Sequence, residues 1–219
     1  MGKKHEQPKH KIIDPRIQKS KIKEVYKMQK HKIIILIGKS GSGKSTIMHK
    51  LIANGYCPIV TNTTRPPRDN EKDGVDYNFI SETDFFDLIN NNQMLEYRKY
   101  NTVYGTWYYG SSINNIDLTK NDYVIILTLD GVEAFVNHFG AENCIVFYID
   151  CPKNIREKRA KSRPNFNQSE WNRRLAADKA DFPLERVHKL CNFKITNYDK
   201  PIYDVIKTII KNIKIWKNE

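Results

Sequence analysis

Gly38-Lys39-Ser40-Gly41-Ser42-Gly43-Lys44-Ser45-Thr46 follows the apolar run Ile33-Ile34-Ile35-Leu36-Ile37 and decides how the chain folds. It fits the pattern G-x-x-x-x-G-K-[ST], in which a buried strand feeds a phosphate-binding loop that opens a helix. Gly38, Gly41 and Gly43 let the backbone turn N–H groups around an anion, and a helix from Ser45 to Ala53 points its positive dipole end at the same place. In such a loop Lys44 reaches the β- and γ-phosphates as a point charge and the Ser45 hydroxyl ligates Mg²⁺, with Ser42 in the cradle itself. Thr46 reads as an ordinary residue of the first helical turn. What accepts the phosphate has to come from the rest of the chain.

Composition narrows the choices. At 219 residues, 39% hydrophobic and 28% charged, the chain is long enough for one well-buried α/β domain with small inserted subdomains. No apolar run approaches the roughly 20 residues that a membrane helix needs, and residues 1–31 have no apolar signal-peptide core. The expectation is a cytoplasmic protein with no membrane partner. Cys57, Cys144, Cys151 and Cys191 form no CxxC pair, which reads as reduced structural thiols and not as zinc ligands or disulfides. The net charge of +12 is unevenly spread: residues 1–32 carry +8 of it. Residues 1–31 therefore read as a basic arm, with an amphipathic helix over about 15–30, that either docks loosely on the domain or binds nucleic acid or another polyanion.

Beyond the loop helix, Pro58-Ile59-Val60-Thr61 reads as a short strand leading into Asn62-Thr63-Thr64-Arg65-Pro66-Pro67-Arg68. Two guanidinium forks on a proline-stiffened loop suit a phosphate dianion, a solvated basic turn being the alternative. Ser81 reads as a helix cap, and Met94 to Arg98 as a strand with Tyr104-Gly105-Thr106 after a turn. Tyr123 to Asp130 reads as a buried strand whose terminal Asp130 either lines a ligand crevice or caps the next helix. Cys144 to Ile149 is a further buried strand, Pro152 opens a helix carrying Arg156 and Arg159, and a helix near Ser169 carries Arg173 and Arg174. A last strand near Phe193 to Ile195 precedes a C-terminal helix from about Lys200 to Trp216.

Thr63-Thr64-Arg65-Pro66-Pro67-Arg68, then Glu71, Gly74, Asp76-Tyr77 and Phe79, resembles the GMP-binding segment of guanylate kinases, a far more specific signature than the loop. Glu96, Tyr104-Gly105-Thr106, Asp130, Arg159, Arg163 and Arg174 extend the likeness, which runs from about Lys32 to the C-terminus. The resemblance implies a P-loop kinase fold over residues 32–219: a parallel core sheet flanked by helices, an inserted GMP-binding subdomain near 62–112 and a lid near 159–175. It implies that Arg65, Arg68, Tyr77 and Tyr104 hold the GMP phosphate and that Thr61, Glu96, Thr106 and Asp130 surround the guanine. It also implies that Lys44, Arg159, Arg163 and Arg174 neutralise the charge of the phosphoryl passing from ATP to GMP, or to dGMP, with Mg²⁺. Relative to the family pattern, the turn between Glu96 and Gly105 is one residue short and Thr128 stands where an acidic residue is common. A kinase for another or modified nucleoside monophosphate is the nearest alternative, and a non-catalytic protein-binding domain of the same fold is the other. Such scaffolds typically lose the loop lysine and lid arginines, which this chain keeps.

Overall fold

In a computed structural model, which describes residues 30–69, 71–102, 104–113, 116–164 and 166–218, the five residues Ile33–Ile37 form a strand, β1, buried along its whole length. A strand apolar on both faces must lie inside a sheet covered on both sides, and β1 occupies the middle. It pairs in parallel with β7 (Tyr123–Ile126) and β8 (Cys144–Asp150), while β2 (Cys57–Pro58) and β9 (Phe193–Thr196) complete a parallel sheet of order β2-β7-β1-β8-β9.

Successive side chains of β1 feed two separate cores. Ile33, Ile35 and Ile37 pack with Leu129, Val132, Phe135 and Phe139 of α3 (Leu129–Phe139) and with Val187 of α6 (Leu184–Leu190). Ile34 and Leu36 pack on the other face with Ile47 and Leu51 of α1 (Lys44–Ile52) and with Val205, Ile206, Ile209 and Ile213 of α7 (Ile202–Lys217). Each such side chain contributes about 1.5–3 kcal/mol through burial, so the sheet is anchored from both sides at the strand that delivers the loop.

Residues between β2 and β7 build a second sheet of order β4-β3-β6-β5, from β3 (Asn62–Thr63), β4 (Asn78–Phe79), β5 (Met94–Thr102) and β6 (Gly105–Ser112). One face is covered by α2 (Glu82–Asn90), whose start is capped by the Ser81 hydroxyl accepting from the Asp84 N–H at 3.1 Å. Phe85 there lies 6.3 Å from the Tyr97 ring and 5.7 Å from Tyr108, and Phe86 lies 5.0 Å from Tyr108. The opposite face carries Glu96, Arg98, Tyr100, Tyr109 and Ser111, because residues two apart on a strand share a face. The remaining elements are α4 (Lys153–Lys161) and α5 (Gln168–Asp181), the latter capped by the Asn167 side chain accepting from the Glu170 N–H at 2.9 Å.

Several sequence expectations shift. The strand expected over 58–61 is only Cys57–Pro58, because the chain leaves β7 there and crosses to the second sheet at Asn62. The strand expected to end on Asp130 ends at Ile126; Thr128 caps α3, its hydroxyl accepting from the Gly131 N–H at 3.3 Å, and Asp130 falls in the first helical turn. The strand expected over 94–98 runs on to Thr102, so Tyr104 occupies the hairpin turn itself. The short α6 was not anticipated. The arm helix over 15–30 lies outside the described residues except for Lys30. Among the described residues no helix is long and apolar enough to cross a membrane.

Candidate active site

The loop after β1 is braced from outside by side chains distant in sequence. Asp178, buried on α5, accepts the Ser40 N–H on both carboxylate oxygens at 3.0 Å and the Ser40 hydroxyl at 3.0 Å. Buried Arg156 of α4 donates to Asp178 at 3.1 Å, to the Ser40 carbonyl at 2.9 Å and to the Cys151 carbonyl at 3.1 Å. Asn197 and Arg159 hold the carbonyl two residues on: the Asn197 amide donates to Ser42 O at 2.8 Å, and Arg159 donates to Ser42 O at 3.4 Å and to Asn197 O at 2.9 Å. Gly43, left-handed at φ 96°, caps α1 beneath the Asn197 amide, where a Cβ would collide. Gly38, at φ 144°, has the same reason to lack a side chain: a Cβ would stand 2.6 Å from the Ile149 carbonyl. With its carbonyls tied down, the loop leaves the first-turn N–H groups of α1, at Lys44, Ser45 and Thr46, to face an anion.

Cations converge on the mouth of this loop. The Lys44 ammonium donates to Gly38 O at 2.6 Å and to Lys39 O at 3.3 Å. Burial pushes its pKa down to about 8, against the attraction of Asp178 and with the help of Arg156, Arg163 and Arg174. Arg163, just beyond α4, is likewise held below the usual arginine range by partial desolvation and by the neighbouring charges of Arg174 and Arg68. Arg173 and Arg174 are both anchored on Glu170, Arg173 by two hydrogen bonds of 2.8 Å and Arg174 by one of 2.9 Å. Three arginines and a lysine from four segments thus crowd one space, an arrangement that a bound polyanion would relieve. Arg159 is engaged elsewhere, on the loop carbonyl and Asn197.

On the segment that carries Arg68, Arg65 is 4% exposed and almost fully committed. It forms an ion pair with Glu71 at 2.8 Å and donates to Pro66 O at 2.7 Å and to the Tyr109 hydroxyl at 3.1 Å, with the rings of Tyr77 and Phe79 at 5.5 and 5.6 Å. Glu71 also accepts the Arg68 N–H at 2.9 Å, which fixes the loop while leaving the Arg68 side chain 62% exposed. Tyr77 packs edge-on to Tyr109 at 5.8 Å, and burial pushes its phenol pKa up. Further along the same sheet face, Glu96 accepts from the Ser111 hydroxyl at 2.7 Å. Burial raises the Glu96 pKa, the Ser111 hydrogen bond and Arg98 oppose that shift, and Asp130 adds to it. Half-buried Thr61 precedes β3, its carbonyl accepting from the Asn78 N–H at 2.9 Å.

Three residues read from the sequence are not brought to this pocket as expected. Tyr104 is 63% exposed in the hairpin turn, stacked on Trp107 at 6.3 Å. Thr106 is exposed and donates to the Asn101 side chain at 3.0 Å. Asp130 gives one oxygen to Arg98 at 2.8 Å and the other to Arg186 at 2.7 Å, so both are taken by guanidinium groups. The residues that face Arg65 and Glu96 are Tyr109 and Ser111, from a second Tyr-Gly-hydroxyl triplet, Tyr109-Gly110-Ser111, five positions after the first. Pairing register was the available signal: a tight turn after Thr102 sets Ser111, not Thr106, opposite Glu96. The braces Asp178, Arg156 and Asn197 were missed as well.

The sequence model of the guanylate kinase family matches residues 30–193. A guanylate kinase of Prochlorococcus marinus subsp. pastoris is 28% identical over 188 residues, spanning 84% of this chain and 97% of the relative. One from Neisseria gonorrhoeae is 34% identical over 175 residues, spanning 78% and 82%. The crystal structure of guanylate kinase from Anaplasma phagocytophilum superposes with a TM-score of 0.59 over 86% of this chain and 87% of that one, a likeness in fold at 21% identity. A glycine-lysine loop between strand and helix, braced by buried side chains, a proline-stiffened arginine loop held by Glu71, and a sequence match across most of the described residues lead to one conclusion: the chain belongs to the guanylate kinase family.

Proposed function

We infer that this chain transfers the γ-phosphoryl group of ATP to GMP, giving ADP and GDP, and we propose dGMP as a second acceptor and the cytoplasm as its location. The observation that carries the reading is the chain of mutually perturbing cations that runs from Lys44 through Arg163 and Arg174 to Arg68, whose loop Glu71 ties to the Arg65–Tyr109 pair. Two polyanions meeting end to end need such a cluster at their junction.

The α1 N-terminus and Lys44 bind the ATP phosphates, while Arg156, Asn197 and Asp178 keep the loop in shape. Arg159 acts through that loop, whereas Arg163 and Arg174 face the transferred group as the lid closes and excludes water. Exposed Ser45 suits Mg²⁺, which takes few protein oxygens and completes its shell with phosphate and water; bound there, the ion would neutralise β,γ-phosphate charge. Arg68, Tyr77 and Tyr109, set by Arg65 and Glu71, receive the GMP phosphate. Glu96 accepts from guanine N1–H and N2–H, and Ser111 both orients that carboxylate and lies beside the base, with Thr61 nearby in sequence on β3's approach.

The test is ADP release with a panel of monophosphates. GMP should be used with at least about a hundredfold advantage in kcat/KM over AMP and the pyrimidine monophosphates. Equal use of AMP would remove the guanine reading.

A further inference from the structure

Arg98 belongs to none of the roles assigned so far, yet it occupies the middle of the acceptor pocket floor. Along β5 the half-buried Glu96, Arg98 and Tyr100 alternate with exposed Tyr97, Lys99 and Asn101, so the first three share the cleft face. Register places Glu96 opposite Ser111 and Arg98 opposite Tyr109, the tyrosine whose hydroxyl holds Arg65. Arg98 therefore stands between the carboxylate assigned to the base and the tyrosine assigned to the phosphate. Its guanidinium is fixed by two helices of the core: Asp130 of α3 accepts from Nη2 at 2.8 Å and Asp181, the last residue of α5, accepts from Nη1 at 2.9 Å. Arg186 occupies the other Asp130 oxygen at 2.7 Å and also reaches Glu133 at 3.1 Å.

We propose that Arg98 is a specificity-determining residue that donates to the O6 and N7 acceptors of guanine while Glu96 accepts from N1–H and N2–H. The inference rests on the GMP-kinase reading above. A guanidinium has five N–H donors in a fixed fork, and two carboxylates with the Tyr100 hydroxyl beside them do not exhaust them. Guanine offers two adjacent acceptors on the edge next to its N1–H, the pair that arginine reads most often in nucleic acids. Adenine shares N7 but replaces O6 with an amino group, which would face the cation with its own hydrogens. Two residues of one strand face lie about 6.5–7 Å apart, a span that lets one side chain take each edge of a purine. Asp130 on this account acts on the base only through Arg98, which it orients.

The experiment compares kcat/KM for GMP, IMP, 7-deaza-GMP and AMP in the wild-type enzyme and in Arg98→Met, with Arg98→Gln as a second variant and thermal unfolding and ATP affinity as fold controls. The wild type should prefer GMP to 7-deaza-GMP by about tenfold, a measurement that needs no variant. Arg98→Met should lower GMP and IMP efficiency by about 10–100-fold through KM, leave AMP within about threefold, and abolish the 7-deaza difference. Arg98→Gln should fall between the two. Equal loss for GMP and AMP would make Arg98 a tie between β5 and the helices and overturn the proposal, as would a wild-type enzyme indifferent to N7. A wild-type enzyme inactive on GMP would instead overturn the underlying reading.

Discussion

The two halves of the cleft are built on opposite principles. The ATP side is one unbroken loop from Gly38 to Thr46, whose shape is defended by buried groups from elsewhere in the chain: Asp178, 138 positions away from Ser40, and Arg156, Arg159 and Asn197. The GMP side has no such loop. Arg65, Tyr77, Glu96, and the β6 pair Tyr109 and Ser111 come from four segments and meet because β5 pairs with β6 from Glu96 onward and β6 lies beside β3. The phosphate loop is therefore one local stretch of chain held in shape from outside, and on the proposed reading recognition of the base is a property of strand pairing.

Removing one group from each side should expose that contrast. Lys44→Ala ought to reduce kcat by on the order of 10³ or more with GMP affinity and the unfolding temperature little changed, since Lys44 contacts loop carbonyls and not the packed core. Single-turnover kinetics would show it, and near-normal turnover would end the phosphate-loop assignment. Glu96→Ala comes next, lowering kcat/KM for GMP by about 10³ while the ATP dissociation constant holds, because an unpaired pair of guanine donors is penalised only on the acceptor side. Weakened ATP binding of similar size would show that the two sides are not independent.

This division also decides how much was legible in the sequence. The isoleucine run, the glycine-lysine loop, the Ser81 cap and the apolar face of α7 depend on residues within a few positions of one another, and each formed where the local pattern placed it. Tyr104-Gly105-Thr106 follows Glu96 at nearly the family spacing, but Tyr109-Gly110-Ser111 is also Tyr-Gly-hydroxyl, and only the length of β5 separates them. Asp130 was placed on a strand because Leu127-Thr128-Leu129 continues the apolar pattern, whereas the Thr128 cap ends it. No local pattern connects Ser40 with Asp178.

The tyrosine choice can be tested directly. Tyr109→Phe removes the hydroxyl that accepts from Arg65 and should raise the KM for GMP by about tenfold, the worth of one hydrogen bond to a charged group. Tyr104→Phe, out on the hairpin turn, should leave KM unchanged. The reverse outcome would return the phosphate contact to the first triplet.

The smallest effect is a pH dependence confined to the ATP side. With its ammonium pushed down to about 8, chiefly by burial, Lys44 loses its proton within an accessible range. Phosphate oxygens favour the charged form, so nucleotide binding raises the pKa of Lys44 and takes up a proton whenever the free enzyme has lost it. ATP affinity is then full below about pH 7 and declines above it, by about twofold from pH 7 to 8 and about fivefold from pH 8 to 9. The sign for stability is opposite: between about pH 8 and the ordinary lysine value of 10.5 the unfolded chain binds the proton and the native one does not, so this group's contribution to stability rises with pH as ATP affinity falls. Titration calorimetry in buffers of different ionisation enthalpy would read the proton uptake. Lys44→Met should make the pH profile of ATP binding flat, while GMP binding, resting on Arg68 and on the tyrosines that Arg65 sets, should show no inflection near pH 8 in either protein. A shared inflection would mean that the two sides of the cleft titrate as one.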